Sequence, residues 1–401
     1  MRKTILVFTL ILISILILIS PSVSRAFFVS FGAAAGVDQV IEKGQNLGVI
    51  PVDPPGSAQG YWAKKTIDDS GNVGAFCSIA VDSNDNPHIS YCEYNSYAQP
   101  FTHIYLKYAK RVGYSWSVST VDNSDTAGRY CAIGVDGSNN PHIAYYEDNS
   151  YGLRYAYWTG TAWDIRNLDD EGYSGYSVSI AMDDTGYSHI SYGSAGKLKY
   201  AYQDASGWDT STVVDENFAG ERGSIALDNN GYPHIAYYRT DGNLKYAYWN
   251  GANWDTSTVV DTGVYKPTVN GAAVSMAVDA GGYPHISYYD CINGDLRYAY
   301  KDVTGWNTQT VDSAETTGLS CSMKLDSGGH PHIAYTVDNG VYTDQALKYA
   351  HWTGSAWDIQ VLERGTNIYY GSIALDSRDC PHISYYGNCN LKYIQWVAPA
   401  K

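Results

Sequence analysis

Histidine side chains are the groups in this sequence best suited to acid–base or metal chemistry, because their ordinary pKa lies near neutrality. Seven of the ten histidines recur in one phrase, which first reads Asp82-Ser-Asn-Asp-Asn-Pro87-His88-Ile-Ser-Tyr. They are His88, His142, His189, His234, His285, His332 and His382. An active site is asymmetric, whereas a residue that every repeat carries serves every repeat. We therefore predict that these histidines are structural and bond neighbouring backbone or acidic groups.

Two further charged positions recur with the same period. A cation follows a leucine at Lys107, Arg154, Lys199, Lys245, Arg297, Lys348 and Lys392. An acid closes another segment at Asp68, Asp122, Asp169, Asp215, Asp261, Asp312 and Glu363. Opposite charges at repeat-wide positions predict recurrent ion pairs, which are weak evidence of function.

The repeats also define the architecture. Successive histidines of the phrase are 54, 47, 45, 51, 47 and 50 residues apart. A period near fifty that fills a chain is typical of propellers and arrays. Each repeat holds four strand-like segments, labelled a to d, that are rich in β-branched and aromatic residues and bounded by turn residues. The composition, with Tyr 38, Trp 11 and Gly 39, also favours β structure.

The two ends of the repeat region complete each other. The last repeat stops after segment c, near Trp396, and the missing segment d matches Trp62–Asp68 at the other end. We predict an all-β fold, a seven-bladed β-propeller over residues 61–401 with four antiparallel strands per blade. The N-terminal strand is expected to complete the last blade and close the ring, because closure removes exposed strand edges.

Residues 1–26 have the pattern of a signal peptide. Arg2 and Lys3 precede an apolar run, and Ser24-Arg25-Ala26 supplies small residues for cleavage. An uncleaved anchor is the alternative. Residues 27–60, rich in proline and glycine, are interpreted as a spacer. We expect a secreted or cell-surface extracellular protein, monomeric and without a transmembrane domain after cleavage.

Loop lengths distinguish the two faces of the predicted ring. The a–b and c–d connections keep one length in every repeat, whereas the b–c and d–a connections vary. Insertions of this kind build binding surfaces, so we expect function on the variable face, formed by the b–c and d–a loops; drift in tolerant loops is the alternative. The long loops supply Tyr94, Tyr97, Phe101, His103, Tyr265, Lys266, Tyr342 and Asp344.

Candidate ligand-binding residues are those that differ between repeats just before strand a, near the mouth of the axis. They are Arg129, Tyr130, Tyr176, Glu221, Arg222, Tyr369 and Tyr370. Aromatic faces beside hydrogen-bonding groups suit sugar rings, which stack their C–H faces while their hydroxyls are bonded at the edge. Tyrosine as ordinary decoration of a β surface is an equal alternative.

The seven cysteines suggest disulfide chemistry rather than a metal site, because Cys-x-x-Cys spacing is missing from the sequence. If Asp82 pairs with Pro87 across the a–b hairpin, Cys77 stands opposite Cys92, and we predict a disulfide between them. Cys291 with Cys321 is a weaker pairing, and Cys380 is the expected free thiol.

No cofactor is predicted. Calcium at Asp82, Asn84 and Asn86 is a weak alternative, because the other copies lose those oxygens and turn chemistry explains them better. Nucleic acid is excluded as a partner by the net charge of −15, since phosphate binding needs a dense basic surface.

The phrases Ser-Ile-Ala-Leu-Asp, Pro-His-Ile-Ser-Tyr-Tyr and Leu-Lys-Tyr-Ala-Tyr-Trp resemble those of secreted bacterial and archaeal β-propeller repeat proteins. Over residues 61–397 the chain is also similar, at fold level, to seven-bladed propeller lectins. Sialidases are a more distant comparison, since their Ser-x-Asp-x-Gly-x-x-Trp box is missing here and only Arg129 and Arg222 are expected near the axial mouth.

Three functions follow from these patterns. The first is a secreted or cell-surface binding module for glycans or a surface protein, which uses the variable face. The second is a glycoside hydrolase or polysaccharide lyase at the axial mouth, which needs a carboxylate pair such as Glu221 with Glu315 or Asp344. The third is a structural surface-layer or adhesion platform. No catalytic residue is assigned, and a binding role is favoured over catalysis.

Overall fold

The computed structural model describes residues 60–94, 103–124, 126–149, 151–171, 174–215, 219–239, 241–260, 273–338 and 344–399. This part of the chain forms 28 strands. The predicted signal peptide and nearly all of the spacer lie outside it. Within the same residues, no helix is long and apolar enough to cross a membrane.

The strands form seven four-stranded antiparallel sheets, the blades of a propeller. β1 (Tyr61–Asp68) precedes blade 1, which holds β2 (Asn72–Val81), β3 (Pro87–Tyr94), β4 (Ile104–Val112) and β5 (Ser115–Asp122). Blade 2 holds β6 (Ala127–Val135), β7 (Pro141–Glu147), β8 (Gly152–Trp158) and β9 (Trp163–Asp169). Blade 3 holds β10 (Tyr176–Met182), β11 (Ser188–Ser194), β12 (Lys197–Asp204) and β13 (Gly207–Val214). Blade 4 holds β14 (Ala219–Leu227), β15 (Pro233–Arg239), β16 (Leu244–Trp249) and β17 (Trp254–Val260).

The remaining blades repeat this order. Blade 5 holds β18 (Val274–Val278), β19 (Pro284–Asp290), β20 (Asp295–Asp302) and β21 (Gly305–Asp312). Blade 6 holds β22 (Thr317–Leu325), β23 (Pro331–Asp338), β24 (Gln345–Trp352) and β25 (Trp357–Gly365). Blade 7 holds β26 (Ile368–Leu375), β27 (Pro381–Gly387) and β28 (Asn390–Val397), and β1 is its fourth strand.

The ring closes as the sequence predicts. β1 pairs antiparallel with β28, and Trp62 stands opposite Trp396. The N-terminal strand is therefore strand d of blade 7, and the predicted seven-bladed fold is confirmed. Because strands alternate in direction, the a–b and c–d connections lie at one end of the blades and the b–c and d–a connections at the other.

A tryptophan of each strand d joins neighbouring blades. Its ring packs edge-on against a strand c tyrosine of the preceding blade, with ring centroids 4.6–5.5 Å apart. The pairs are Trp62–Tyr349, Trp116–Tyr393, Trp163–Tyr108, Trp208–Tyr155, Trp254–Tyr200, Trp306–Tyr246 and Trp357–Tyr298. Edge-to-face packing is the arrangement that aromatic rings prefer. Trp62 supplies the seventh copy, so β1 seals the ring with the contact that every other blade uses.

The first strands of neighbouring blades contact one another around the ring, so they enclose the central axis. In six of the seven interfaces a serine hydroxyl oxygen accepts a hydrogen bond of 3.0–3.3 Å from a backbone N–H of the next first strand. The serines are Ser78, Ser179, Ser224, Ser275, Ser322 and Ser372. Ala132 occupies the seventh position. These bonds show how closely the inner strands approach each other.

The acid that closes strand d bonds to the next blade. It accepts a hydrogen bond of 2.6–2.8 Å from a buried strand b tyrosine in five interfaces: Tyr91–Asp68, Tyr145–Asp122, Tyr192–Asp169, Tyr335–Asp312 and Tyr385–Glu363. The predicted ion pairs form at four interfaces between neighbouring blades: Arg154–Asp122, Lys199–Asp169, Lys348–Asp312 and Lys392–Glu363. Elsewhere the cation takes another partner, as Lys107 does with Glu93 at 2.9 Å. These charges therefore stabilise blade interfaces.

The a–b hairpins differ from the predicted register by one residue. Val81, not Asp82, stands opposite Pro87, and the turn residue Asp85 has a φ of 60°. The Asp82 carboxylate accepts hydrogen bonds from the backbone N–H groups of Asn84 and Asn86 at 3.0 and 2.8 Å. Because the side chain supplies these acceptors, the hairpin accommodates a longer loop ending in a left-handed residue. This role in the turn accounts for the aspartate.

Each repeat histidine lies in a hydrogen-bonded chain. In blade 1, Tyr108 Oη lies 2.6 Å from His88 Nδ1, and His88 Nε2 lies 3.2 Å from Asp82 Oδ2. A neutral imidazole satisfies both contacts, accepting from the tyrosine and donating to the carboxylate. The other six histidines each hydrogen-bond to a strand c tyrosine, and their Nε2 atoms lie 3.3–3.9 Å from a turn aspartate. The predicted structural role is confirmed by these contacts.

Stability is expected to fall as the pH drops below about 6.5. Burial lowers the pKa of His88 to about 4, and burial also lowers the pKa of His142, His189, His234, His285 and His332. The unfolded chain then binds more protons than the folded one below the ordinary histidine pKa, so acid favours unfolding. The shifted pKa of His88 alone is expected to lower the free energy of unfolding by ~2 kcal/mol between about pH 6.5 and 5. Thermal unfolding followed from pH 7.5 to 4.5 checks this, and a constant Tm would contradict it.

Candidate functional site

One ring of inner-strand positions has a backbone that side chains rarely adopt. Two residues before the strand a serine, or before Ala132 in blade 2, six blades place a non-glycine residue at positive φ: Phe76 (53°), Tyr130 (52°), Ser177 (56°), Arg222 (53°), Ser320 (49°) and Tyr370 (57°). Each sits at a β-bulge in the a–b pairing. Bulges re-aim side chains, and left-handed strain of this kind concentrates at functional sites. The ring lies at the variable end of the axis.

Three of these side chains form an aromatic patch across blades 7, 1 and 2. The ring centroid of Phe76 lies 4.5 Å from that of Tyr370 and 4.8 Å from that of Tyr130. All three side chains are half-buried, so each keeps part of its surface open to solvent. We name Phe76, Tyr130 and Tyr370 the axial aromatic patch.

Arg222 occupies the equivalent ring position in blade 4, where its φ is also positive. Burial raises the pKa of Tyr370, and the Arg222 guanidinium acts in the opposite direction. The ring of positive-φ positions therefore holds a guanidinium in blade 4 as well as the aromatic patch of blades 7, 1 and 2. Guanidinium donors and aromatic faces give this ring both stacking surface and hydrogen bonds.

Two other predicted binding residues, Arg129 and Tyr369, lie one position before Tyr130 and Tyr370. Neighbouring side chains hold both of them in place. Arg129 Nε is 3.1 Å from Asp148 Oδ2. The hydroxyl of Tyr369 accepts a hydrogen bond from the Gln345 amide, whose oxygen in turn accepts from the backbone N–H of Ile368 at 2.9 Å. Arg129 and Tyr369 therefore border the patch and are fixed by neighbouring residues.

The backbone of Tyr176 belongs to β10 and that of Glu221 to β14, whereas their side chains lie outside what the structure describes. Of the seven predicted binding residues, the structure brings Tyr130 and Tyr370 together through Phe76, and Arg222 occupies the equivalent position in blade 4. Phe76 was not among the predicted residues. Its signal in the sequence was its position, equivalent to Tyr130 and Tyr370 in neighbouring repeats.

Two buried thiols hydrogen-bond to the backbone of the axial aromatic patch. Cys77 donates to the Tyr370 carbonyl at 3.0 Å and Cys131 to the Phe76 carbonyl at 3.1 Å. Both carbonyls belong to positive-φ residues, so the thiols satisfy backbone groups that the bulge removes from the strand ladder. Burial raises the pKa of Cys77 to about 12. Such a thiol is protonated and unreactive at neutral pH.

The predicted disulfide between Cys77 and Cys92 is wrong in this structure, where both thiols are free. The one-residue shift of the hairpin and the bulge after it place Cys92 opposite Ala75. Cys92 instead donates to the Gly128 carbonyl of blade 2 at 2.7 Å. The proposed Cys291–Cys321 pair is likewise unbonded.

The predicted loop residues are only partly described. Tyr94 ends β3 and packs beside Cys92 and Tyr370, and His103 stacks on Tyr105 with centroids 6.2 Å apart. Tyr97, Phe101, Tyr265, Lys266 and Tyr342 lie outside the described residues.

The acids suggested for catalysis are engaged in blade 6. Asp344 and Glu315 both contact Arg364, at 3.3 and 3.5 Å, and Glu315 also lies 3.4 Å from Lys348. Both carboxylates are therefore engaged in ion pairs with cations of blade 6. Among the described residues, no group of three or more His, Cys, Asp or Glu side chains is arranged to hold a metal ion.

The fold and this ring define a seven-bladed β-propeller with a candidate binding mouth on its variable face. No protein-family model and no curated protein matches the chain. Among solved structures, AofleA from Arthrobotrys oligospora has a TM-score of 0.51 at 11% identity, covering 77% of this chain and 91% of that one. At this identity the likeness shows the shared fold alone.

Two further solved structures are lectins with lower scores. The Aleuria aurantia lectin, in complex with Fucalpha1-6GlcNAc, has a TM-score of 0.47 at 13% identity over 72% of this chain and 96% of its own. SapL1 lectin, in complex with alpha methyl fucoside, has a TM-score of 0.46 at 16% identity over 68% and 95%.

Proposed function

We propose that the protein is an exported binding module that recognises glycans at the axial mouth of its variable face. The observation that carries this proposal is the axial aromatic patch, in which three half-buried rings from three blades are held at positive φ. The bulge recurs in six blades and belongs to the blade architecture, whereas the side chains that it presents differ from blade to blade, as expected of a binding surface.

Glycans are the ligand class that this chemistry suits best. A sugar ring presents C–H bonds on its face and hydroxyls at its edge. The patch offers aromatic faces, and Arg222 offers several N–H donors beside them. A protein partner would more often meet a larger apolar surface with a polar rim. The predicted signal peptide supports export to the place where glycans are displayed.

A glycan screen with matched variants tests the proposal. Tyr130→Ser and Tyr370→Ser introduce the residue that Ser177 and Ser320 already supply at the same φ in other blades. The ring scaffold should therefore tolerate both changes. We expect each variant to bind the captured glycan about tenfold or more weakly, because buried tyrosines dominate binding sites of this kind.

The control is Tyr283→Asn, which removes an exposed tyrosine from an a–b turn on the opposite face and introduces the residue found at Asn86 and Asn140. Its affinity should equal that of the wild type. Undiminished binding by both mouth variants would refute the axial mouth as the site. Capture of a protein, with no glycan retained, would assign the surface to a protein partner instead.

A further inference from the structure

Lys324 is an exception in the ring of innermost strands. The residue before the last one of strand a is small in the other six blades: Ala80, Gly134, Ala181, Ala226, Ala277 and Ala374. In blade 2 a Cβ at Gly134 would lie 2.7 Å from the Met182 side chain of the next blade, so this position faces a closely packed neighbour. A lysine side chain is too long to lie between two such strands.

The surroundings of Lys324 place its ammonium in the axial channel. Its side chain is exposed to solvent, yet burial lowers its pKa. An inner-strand side chain can be in contact with solvent and still have its pKa lowered by burial where that solvent is itself enclosed by protein. Lys324 makes no hydrogen bond or ion pair with the described residues. An enclosed cation without a partner is poorly solvated and favours an anion.

The charge of the inner strands differs from that of the whole protein. The seven first strands carry three cations, Arg129, Arg222 and Lys324, and one acid, Glu221. Arg129 pairs with Asp148, which leaves two cations against one acid. The complete chain has 26 Lys and Arg against 41 Asp and Glu. Because a channel with low-dielectric walls focuses the field of the charges that line it, the axis attracts anions although the protein is acidic.

We propose that the axial channel binds the anionic group of an acidic glycan, with Lys324 as its counter-ion. This assignment rests on the proposed function and narrows it to sugars that bear a carboxylate or sulfate. Lys324 lies four residues along strand a from Ser320, the position equivalent to Arg222, which is about 13 Å of extended chain. The ligand therefore spans at least two sugar rings, with a neutral ring on the axial aromatic patch and its acidic end in the channel.

Lys324→Ala is a well-matched test, because alanine is the residue that five other blades carry at this position. The probes are two trisaccharides that differ only at C6 of the terminal ring, one ending in glucuronic acid and one in glucose. The wild type should prefer the acidic probe by about tenfold. The variant should lose that preference and keep its affinity for the neutral probe. Lys245→Ala, which removes a strand c lysine that bonds Thr258 of strand d, should retain the preference for the acidic probe.

An equal preference in the wild type and Lys324→Ala would overturn the proposal. A second measurement separates this failure from failure of glycan binding as a whole. Acetylation of Lys324 is followed by mass spectrometry in sodium sulfate and in sodium chloride at equal ionic strength. Sulfate should slow modification of Lys324 several-fold and leave Lys245 unchanged. Equal rates in both salts would refute an anion site, even if neither trisaccharide binds.

Discussion

Deletion of residues 61–68 is expected to cost ~5 kcal/mol or more of unfolding free energy, which is comparable to the whole stability of a typical domain. The deletion removes Trp62 from its contacts with Tyr349 and Trp396, and loss of a buried tryptophan costs ~3–5 kcal/mol. It also leaves the buried hydroxyl of Tyr91 without its Asp68 acceptor, at about 1–3 kcal/mol. In addition, β28 becomes an open edge that invites aggregation.

Thermal unfolding of chains that begin at residues 58 and 70 measures this effect. The first chain should melt like the wild type, because it retains β1 and every other described strand of the ring. The second should be unfolded, aggregated or strongly destabilised at room temperature. Equal melting of the two chains would mean that β1 does not close the ring.

Asp312→Ala is expected to lower the free energy of unfolding by ~3 kcal/mol. This is the largest effect that we expect from replacing a single buried charged side chain. The Asp312 carboxylate accepts hydrogen bonds from Tyr335 Oη at 2.7 Å and from Lys348 Nζ at 3.0 Å. All three side chains are nearly inaccessible. The substitution leaves a phenol and an ammonium buried with fewer partners, and desolvation without compensation is the physical cost. Denaturant unfolding measures the change in free energy.

Asp215 offers a matched control at the equivalent position of blade 3. Its side chain is 70% exposed and pairs with Lys197, which is 39% exposed. Because solvent screens such pairs, Asp215→Ala should change the free energy of unfolding by less than ~0.5 kcal/mol. Equal effects of the two substitutions would show that the buried acids do not stabilise the blade interfaces as we describe.

The architecture was accessible from the sequence because the histidine phrase repeats at a period that only a few folds produce. Closure by Trp62–Asp68 followed from the missing segment of the last repeat, and Trp62 occupies the place that six other tryptophans occupy. The hairpin register was not accessible. It depends on the Asp82 side chain, which accepts hydrogen bonds from the backbone N–H groups of Asn84 and Asn86 and so holds a loop that is one residue longer. The disulfide predicted from that register was lost with it.

The candidate site was found by comparing equivalent positions, and this comparison selected Tyr130, Tyr370 and Arg222, which the structure places at one ring of positive-φ positions. It omitted Phe76, because the selection favoured tyrosines and charged side chains, although Phe76 occupies the position equivalent to Tyr130 and Tyr370. Lys324 was missed for a different reason. An inner-strand lysine is recognisable as unusual only when the six small residues at its position are known to face a closely packed neighbouring strand.

The most direct test of the account is the crystal structure of the protein in complex with a glycan that it captures. We predict density for a sugar ring against Phe76, Tyr130 and Tyr370, with a hydroxyl or acidic group within hydrogen-bond distance of Arg222. Density on the a–b and c–d face, or between blades at the outer rim with an empty axis, would contradict the central claim that the axial mouth is the binding site.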